Sequence, residues 1–258
     1  MISFFKNIFS FLLVFLPSFL KVPLYRLFFR YKIGKDVHIG FTIFNKVSQC
    51  QIDDHVDIGH FNFFSRIPKL EISKHTKIGY LNVFRGGKRV SIGSYSTILR
   101  QNIINSILEQ DSVNPSDPVF ELGAGSVITT GHWLDFTNHI FIGADSVIGG
   151  CGSSFWTHNR QRTKSIKIGC HCYLGSGIQI APGVEVPPFC IVALGSVLIG
   201  KFDQPRSLIG GNPAVVIHPL HEQDLFLVIG KTRKDIPDEI ALADLSEELR
   251  LAYRHVTT

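Results

Sequence analysis

The chain has 258 residues, 45% of them hydrophobic and only 18% charged, which excludes a disordered chain and leaves room for a substantial core. Its 26 Lys and Arg against 21 Asp and Glu give +5, an excess suited to an anionic cofactor or a membrane surface. No helix-turn-helix, zinc-finger or RNP-type pattern accompanies that charge, so nucleic acid is not an expected partner.

Residues 1–32 form a first segment, hydrophobic and basic. The uncharged run from Asn7 to Leu20 is shorter than the roughly 20 residues a spanning helix needs, and no small-x-small cleavage site follows it. Pro17 and Pro23 are expected to interrupt a single long helix, and Lys6, Lys21, Arg26, Arg30 and Lys32 punctuate the Phe-rich sequence. This composition points to a segment lying in the membrane interface on the anionic cytoplasmic leaflet; the competing role is a cap on the following domain.

From residue 33 to 217 the chain repeats itself. Ile168, Leu174, Ile180, Val186, Val192 and Leu198 recur every six positions, with Cys172, Ile178, Val184, Cys190 and Ser196 four after successive members. Earlier pairs keep the same phase in bursts: Ile52-Asp53 with Ile58-Gly59, Ile72-Ser73 with Ile78-Gly79, and Ile92-Gly93 with Ile98. A helix cannot hold a period of six on one face. Three six-residue edges closing a triangular coil can, with aliphatic residues inward and small ones at the corners.

The repeat breaks at residues 105–121, where Asn114-Pro115 and Asp117-Pro118 mark a protruding loop, and again between Ile148 and Ile168. The second break carries Phe155, Trp156, Thr157, His158 and Asn159 in a polar, basic stretch. Loops on a rigid scaffold are where function concentrates. Five cysteines (Cys50, Cys151, Cys170, Cys172, Cys190) are odd in number and mostly in apolar stretches, which suggests small buried thiols rather than a disulfide framework. Cys170-His171-Cys172 lacks a second ligand pair at zinc-site spacing and reads as structural; no metal site is expected. Residues 218–258 form a last segment, with a helix expected over 237–254 that caps the last coil or packs on a neighbouring subunit.

This pattern resembles the hexapeptide-repeat acyltransferases, most specifically over residues 122–217, and among them the sugar and polysaccharide O-acetyltransferases. The resemblance implies a mainly β fold, a left-handed parallel β-helix, acting as an acyl-CoA-dependent O-acetyltransferase. It implies acetyl-CoA as co-substrate, a glycan or small-molecule acceptor and a homotrimer, and the basic N-terminal segment points to a cytoplasmic place, peripheral on the inner face of the plasma membrane. His158 falls where the family has its general base, with His132 and Asp135, in Thr130-Gly131-His132-Trp133-Leu134-Asp135, as second candidates. Asp135 or Asn138 is expected to orient the His158 ring. The cofactor-binding positions implied are Gly175, Ser176, Ala193, Gly195, Ser196, Gly211 and Pro213, the last two within Gly210-Gly211-Asn212-Pro213-Ala214. The sequence departs from the family at Tyr173, where many relatives have Trp, and at Val215-Val216, where many have a cation for the CoA 3′-phosphate. Lys201, Arg206, Lys231 and Arg233 are the candidate replacements. Transfer to another hydroxyl or to an amine remains open, as does a non-catalytic scaffold. A zinc hydrolase of the γ-carbonic-anhydrase kind is disfavoured, because His132, His139 and His158 lack that family's close pair on one coil.

Overall fold

A computed structural model describes residues 10–109, 115–160, 162–229, 233–242, 245, 247 and 250. From Lys32 onward the chain winds through three parallel sheets in strict rotation, completing eight coils and entering a ninth. Sheet 1 has eight strands, from Lys32–Ile33 to Glu185–Val186. Sheet 2 has ten, from His38–Ile39 to Ala214–Pro219, and sheet 3 has eight, from Ile43–Asn45 to Val197–Leu198. Every pairing between successive coils is parallel; only the closing hairpin of Ser207–Gly211 with Ala214–Pro219 is antiparallel. The fold is a three-sided parallel β-helix, and it fits the left-handed β-helix that the repeat implies.

The period of six acts through burial. Ile168, Leu174, Ile180, Val186, Val192 and Leu198 all point into one core, and Cys172, Ile178, Val184, Cys190 and Ser196 are buried beside them. Because equivalent positions stack about 4.8 Å apart, like side chains pair with like. Phe44, Phe64 and Phe84 form a column with ring centroids 5.1 and 4.6 Å apart. At the corner between sheets 2 and 3, buried asparagines form a second ladder. Asn62 Oδ1 accepts the Asn82 backbone N–H at 3.0 Å, and Asn82 Oδ1 accepts that of Asn102 at 3.1 Å. Each side chain satisfies a corner amide the strands leave unpaired.

The N-terminal segment closes the open end of the first coil. The helix α1 (Ser18–Phe29) starts after Pro17, as expected. Pro23 lies within it rather than breaking it: the amide it lacks belongs to the outward, solvent-facing stripe of the helix. The inward face is tied to coil one. Ser18 Oγ accepts the Ile39 N–H at 2.8 Å and donates to Val37 O, and Arg26 donates to Ile33 O at 3.0 Å. Lys21 is buried, with Nζ donating to Val14 O at 2.9 Å and Gly40 O at 2.8 Å. Burial pulls its pKa down to about 8.

The C-terminal segment packs along the side of the β-helix. Val228, Ile229, Ile236, Ala241 and Leu245 form a separate apolar cluster with Tyr95, Ile191, Tyr173 and Leu208, on the outer face of sheet 2 and its edge. Of the helix expected over 237–254, Asp238–Ala241 is described; Lys231 and Arg254 lie outside the described residues, as do residues 1–9 and Asn114. All five cysteines are free thiols; Cys50, Cys172 and Cys190 are buried, but Cys151 is exposed. His171 stacks on Phe189 at 4.9 Å and the Cys172 thiol donates to Pro187 O, so this trio holds a corner.

Candidate active site

Sheet 3 has two edges, and the candidate residues divide between them. Along the edge shared with sheet 2, one position per coil has a left-handed backbone. Phe61, Leu81 and Gln101 occupy it in coils two to four, with φ of 58°, 60° and 58°. Gly131, Gly152, Gly177 and Gly195 occupy it in coils five to eight, with φ of 67°, 73°, 68° and 70°. Since three residues with side chains adopt the same φ, the backbone alone does not demand glycine there. The consequence of glycine is room: among the described residues no heavy atom lies within 4 Å of where a Cβ would stand at any of the four. Four coils thus present a bare backbone edge that a thin chain can approach closely; the glycine N–H groups themselves are paired with carbonyls of the preceding coil.

The implied cofactor positions line this edge. Gly175 and Ser176 precede Gly177, and a Cβ at Gly175 would meet the Leu194 backbone N at 2.9 Å. Ala193 and Ser196 flank Gly195; Ser196 Oγ donates to Ala193 O at 2.6 Å and accepts the Gly211 N–H at 3.3 Å. Gly211 and Pro213 make the turn of the closing hairpin, with φ of +107° at Gly211 and a cis bond before Pro213. Of the cations considered for the CoA phosphate, Lys201 is paired with Glu185 at 2.6 Å. Arg233 is held by Asp235 and by the carbonyls of His75 and Tyr95, on the flank of sheet 2. Arg206 is half-buried at the turn entering Ser207–Gly211.

The other edge, between sheets 3 and 1, carries the insertions. Residues 157–160 and 162–164 leave the coil as the two arms of a hairpin: His158 bridges Thr163, and Asn159 donates N–H to Arg162 O at 2.9 Å while its Oδ1 accepts the Arg162 N–H at 2.8 Å. Thr157 anchors the base of the hairpin. Its Oγ1 donates to Asp135 O at 2.7 Å and accepts the Asn138 N–H at 2.8 Å, and its carbonyl accepts the Lys164 N–H at 3.0 Å. His158 is half-buried next to this anchor, which holds its imidazole at the corner of the coil. Trp156 and Trp133 stack beside it with centroids 6.0 Å apart and 24° between planes, 41% and 40% exposed.

The first insertion reaches the same place. Ile107 N–H donates to Thr137 Oγ1 at 3.1 Å, one residue from the Asn138 that holds Thr157. Between this loop and the coils before it lies a cavity of about 550 Å3 lined by Arg66, Pro68, Gly87, Lys88, Leu108 and Asp117. The cavity shares an edge of the β-helix with the hairpin but lies among coils two to four, and none of its lining residues belongs to the hairpin.

His132 and Asp135 occupy different surroundings. His132 is the next rung of the asparagine ladder: its N–H donates to Asn102 Oδ1 at 3.0 Å, and its Nδ1 accepts the Ser153 N–H at 3.1 Å. The ring proton therefore sits on Nε2, 3.0 Å from Thr129 Oγ1. Burial drives its pKa down to about 4. Asp135 pairs in register with Trp156, and its Oδ1 accepts the Thr137 N–H at 2.8 Å in a local turn. Asn138 Oδ1 likewise accepts the His139 N–H. His139 contacts Glu121 at 2.9 Å on the outer face of sheet 1. Among the described residues no three His, Cys, Asp or Glu side chains converge as a metal set.

The structure thus brings His158, Thr157 and the tryptophans together, and separately gathers Gly175, Ser176, Ala193, Gly195, Ser196, Gly211 and Pro213. It does not bring the two groups together in one chain: they flank sheet 3, about 20 Å of extended backbone apart at 3.3 Å per residue. Gly177 belongs to the Leu174-Gly175-Ser176-Gly177 stretch of the segment that resembles the family's CoA-binding portion, whereas Gly131 and Gly152 carry no signal of their own in the six-residue repeat and emerge only when the coils are aligned against Phe61, Leu81 and Gln101.

No protein-family model matches the chain, and no curated protein does so at a significant level. Solved structures do. The chains it resembles are acyltransferases. They include the polysialic acid O-acetyltransferase OatWY, at 17% identity over 73% of this chain and 88% of that one, with a TM-score of 0.30. The UDP-N-acetylglucosamine acyltransferase from Campylobacter jejuni matches at 17% identity over 87% and 90%, TM-score 0.44. The polySia-specific acetyltransferase NeuO matches at 16% over 79% and 98%, TM-score 0.42. At TM-scores below 0.5 these likenesses bear on no residue's role.

Proposed function

We propose that the chain is an acyl-CoA-dependent O-acetyltransferase that moves an acetyl group from acetyl-CoA to a sugar hydroxyl of a surface polysaccharide or its precursor. The observation that carries this is the pairing of a bare four-glycine edge with an anchored histidine hairpin on the two sides of one sheet. The edge suits the pantetheine arm, a thin chain that needs close approach to the backbone with no intervening side chains. His158 acts as the general base: it takes the proton from the acceptor hydroxyl as the oxygen attacks the thioester carbonyl. The tetrahedral oxyanion then collapses, the C–S bond breaks, and the CoA thiolate leaves and is reprotonated. Neither a metal nor a covalent enzyme intermediate is required for that sequence. His132 serves as a corner rung, with Asp135 and Thr157 holding the hairpin.

Because the two groups sit on opposite edges, we assign the complete site to a subunit boundary in a homotrimer, one chain giving His158 and its neighbour the glycine edge. The outer face of sheet 3 supports such packing. Val83, Ile103 and Trp133 stand in one outward column, in register from coil to coil. The working place proposed is the cytoplasmic side of the plasma membrane, where lipid-linked glycan precursors are built. The purified protein, incubated with acetyl-CoA and candidate glycans, is expected to release free thiol and acetylated product. His158→Ala is expected to lower that rate about 10²–10⁴-fold with the fold retained. No thiol release above background with any glycan would count against the proposal.

A further inference from the structure

A cap needs one apolar face, and α1 has two. Its inner face, with Lys21, Val22 and Tyr25 buried, seals the first coil. Its outer stripe should then be polar, as on any helix whose second side meets water. Instead Phe19, Pro23 and Leu27 follow one another at i, i+4 and i+8 on the outward side. Phe19 is 74% exposed and Leu27 70%, and Phe15, 68% exposed, extends the stripe across the turn before the helix. Leu12, Leu20 and Phe28 are exposed as well.

The patch continues onto the β-helix. Phe11, Phe15, Phe41, Ile43, Phe61 and Phe63 line an apolar groove of about 440 Å3, with the Phe41 and Phe61 rings 6.2 Å apart. Exposed apolar surface on this scale is unusual on a soluble chain and marks a site of association. Its border is mainly cationic. Arg26, Arg30, Lys32 and Lys35 are exposed along the margin of α1 and the first strand, and no Asp or Glu occurs before Asp36, which lines a recess with Phe15 and Phe19. Asp53 and Asp54 lie beside Lys32 on the next coil. An apolar face with an excess of cations along its margin is complementary to an anionic lipid surface, where acyl chains take the rings and headgroups take the charges. No helix among the described residues is long and apolar enough to cross a membrane, so the contact is one of lying on the surface.

We infer that the outer face of α1 and the adjoining phenylalanine groove form a docking surface for an anionic phospholipid bilayer, setting the β-helix with its first coil toward the membrane. The inference gives the membrane location proposed above a named surface, and it does not depend on acyl transfer.

Co-sedimentation of the full chain with phosphatidylcholine vesicles, with and without phosphatidylglycerol, tests it. The chain is expected to bind the anionic vesicles more tightly than the neutral ones, and less tightly as salt is raised. Phe19→Glu with Leu27→Glu alters only exposed positions. It should weaken binding at least about tenfold while leaving the thermal melt and thiol release with a soluble acceptor unchanged. Lys32→Ser with Lys35→Ser should remove only the preference for anionic lipid. The inference is overturned if the native chain binds neither vesicle, or if the Glu double variant binds as well as the native chain. It is also overturned if light scattering shows an assembly larger than a trimer that the double variant breaks up without any vesicle binding. That last result would assign the face to a second copy of the chain.

Discussion

At the edge between sheets 2 and 3, coils two to four and coils five to eight follow one backbone path and dress it oppositely. The early coils fill the left-handed position with Phe61, Leu81 and Gln101 and back it with the Asn62–Asn82–Asn102 ladder; the later ones leave it bare. Stacked repeats are stabilised mainly by contacts with their neighbours, so every coil is under the same pressure to fill its corner. Where four successive coils do not, the room itself has a use. The hairpin insertion on the opposite edge falls in the same half, between coils six and seven. The early half is built for stacking, the later half for access.

That contrast predicts effects of opposite kind. Gly177→Gln or Gly195→Gln installs in the later half the residue that Gln101 already places in the early half. The expected result is a rise in KM for acetyl-CoA of about tenfold or more, at a stability cost of only about 1–2 kcal/mol for a left-handed non-glycine residue. Asn82→Ala is the mirror case. Removing a buried rung leaves the Asn102 N–H without its acceptor and should cost about 1–3 kcal/mol in unfolding free energy, with KM unchanged. Steady-state kinetics and denaturant titrations on both variants check the pair. Equal effects on both quantities would dissolve the distinction between the halves.

His132 gives a finer test, because it ends the ladder at the boundary between the halves. Its pKa is about 4 in the fold, against 6.5 for the unfolded chain. The neutral ring therefore supports the fold fully above pH 6.5, and that support is lost as pH falls toward 4, by about 3 kcal/mol at most. His132→Asn should keep the ladder, since asparagine holds the equivalent place in three earlier coils, and should flatten this acid-side loss. Denaturant midpoints at neutral and mildly acid pH measure it. If instead His132→Asn abolishes acyl transfer, His132 has a chemical role and the corner assignment fails.

Much of the fold was legible because inward aliphatic residues every six positions leave a trace in the sequence that needs no knowledge of register. Ile168 to Leu198 is the clearest case. The site was legible in pieces. His158 announced itself through the break in the repeat, and the small residues of 175–213 through their composition. Their separation across sheet 3 was not legible, because adjacency between coils depends on insertion lengths: the step from Asp135 to Trp156 is 21 residues, not 20. The first insertion hid the ladder role of His132, because it sets His132 30 residues beyond the Asn102 that lies beneath it. For α1, the choice between cap and membrane segment was not an exclusive one. A helix has two faces, and composition does not say which residues take which.

The central claim is that the reaction site is shared between chains. Subunits carrying His158→Ala and subunits carrying Gly195→Gln, each strongly impaired alone at acetyl-CoA well below KM, should be co-refolded in equal amounts and assayed for thiol release at that concentration. If one chain supplies the base and its neighbour the glycine edge, about a quarter of all sites in the random mixture carry both intact halves, and activity returns to that order. Mixtures that stay as inactive as their parents would mean the site lies within one chain and would contradict the account.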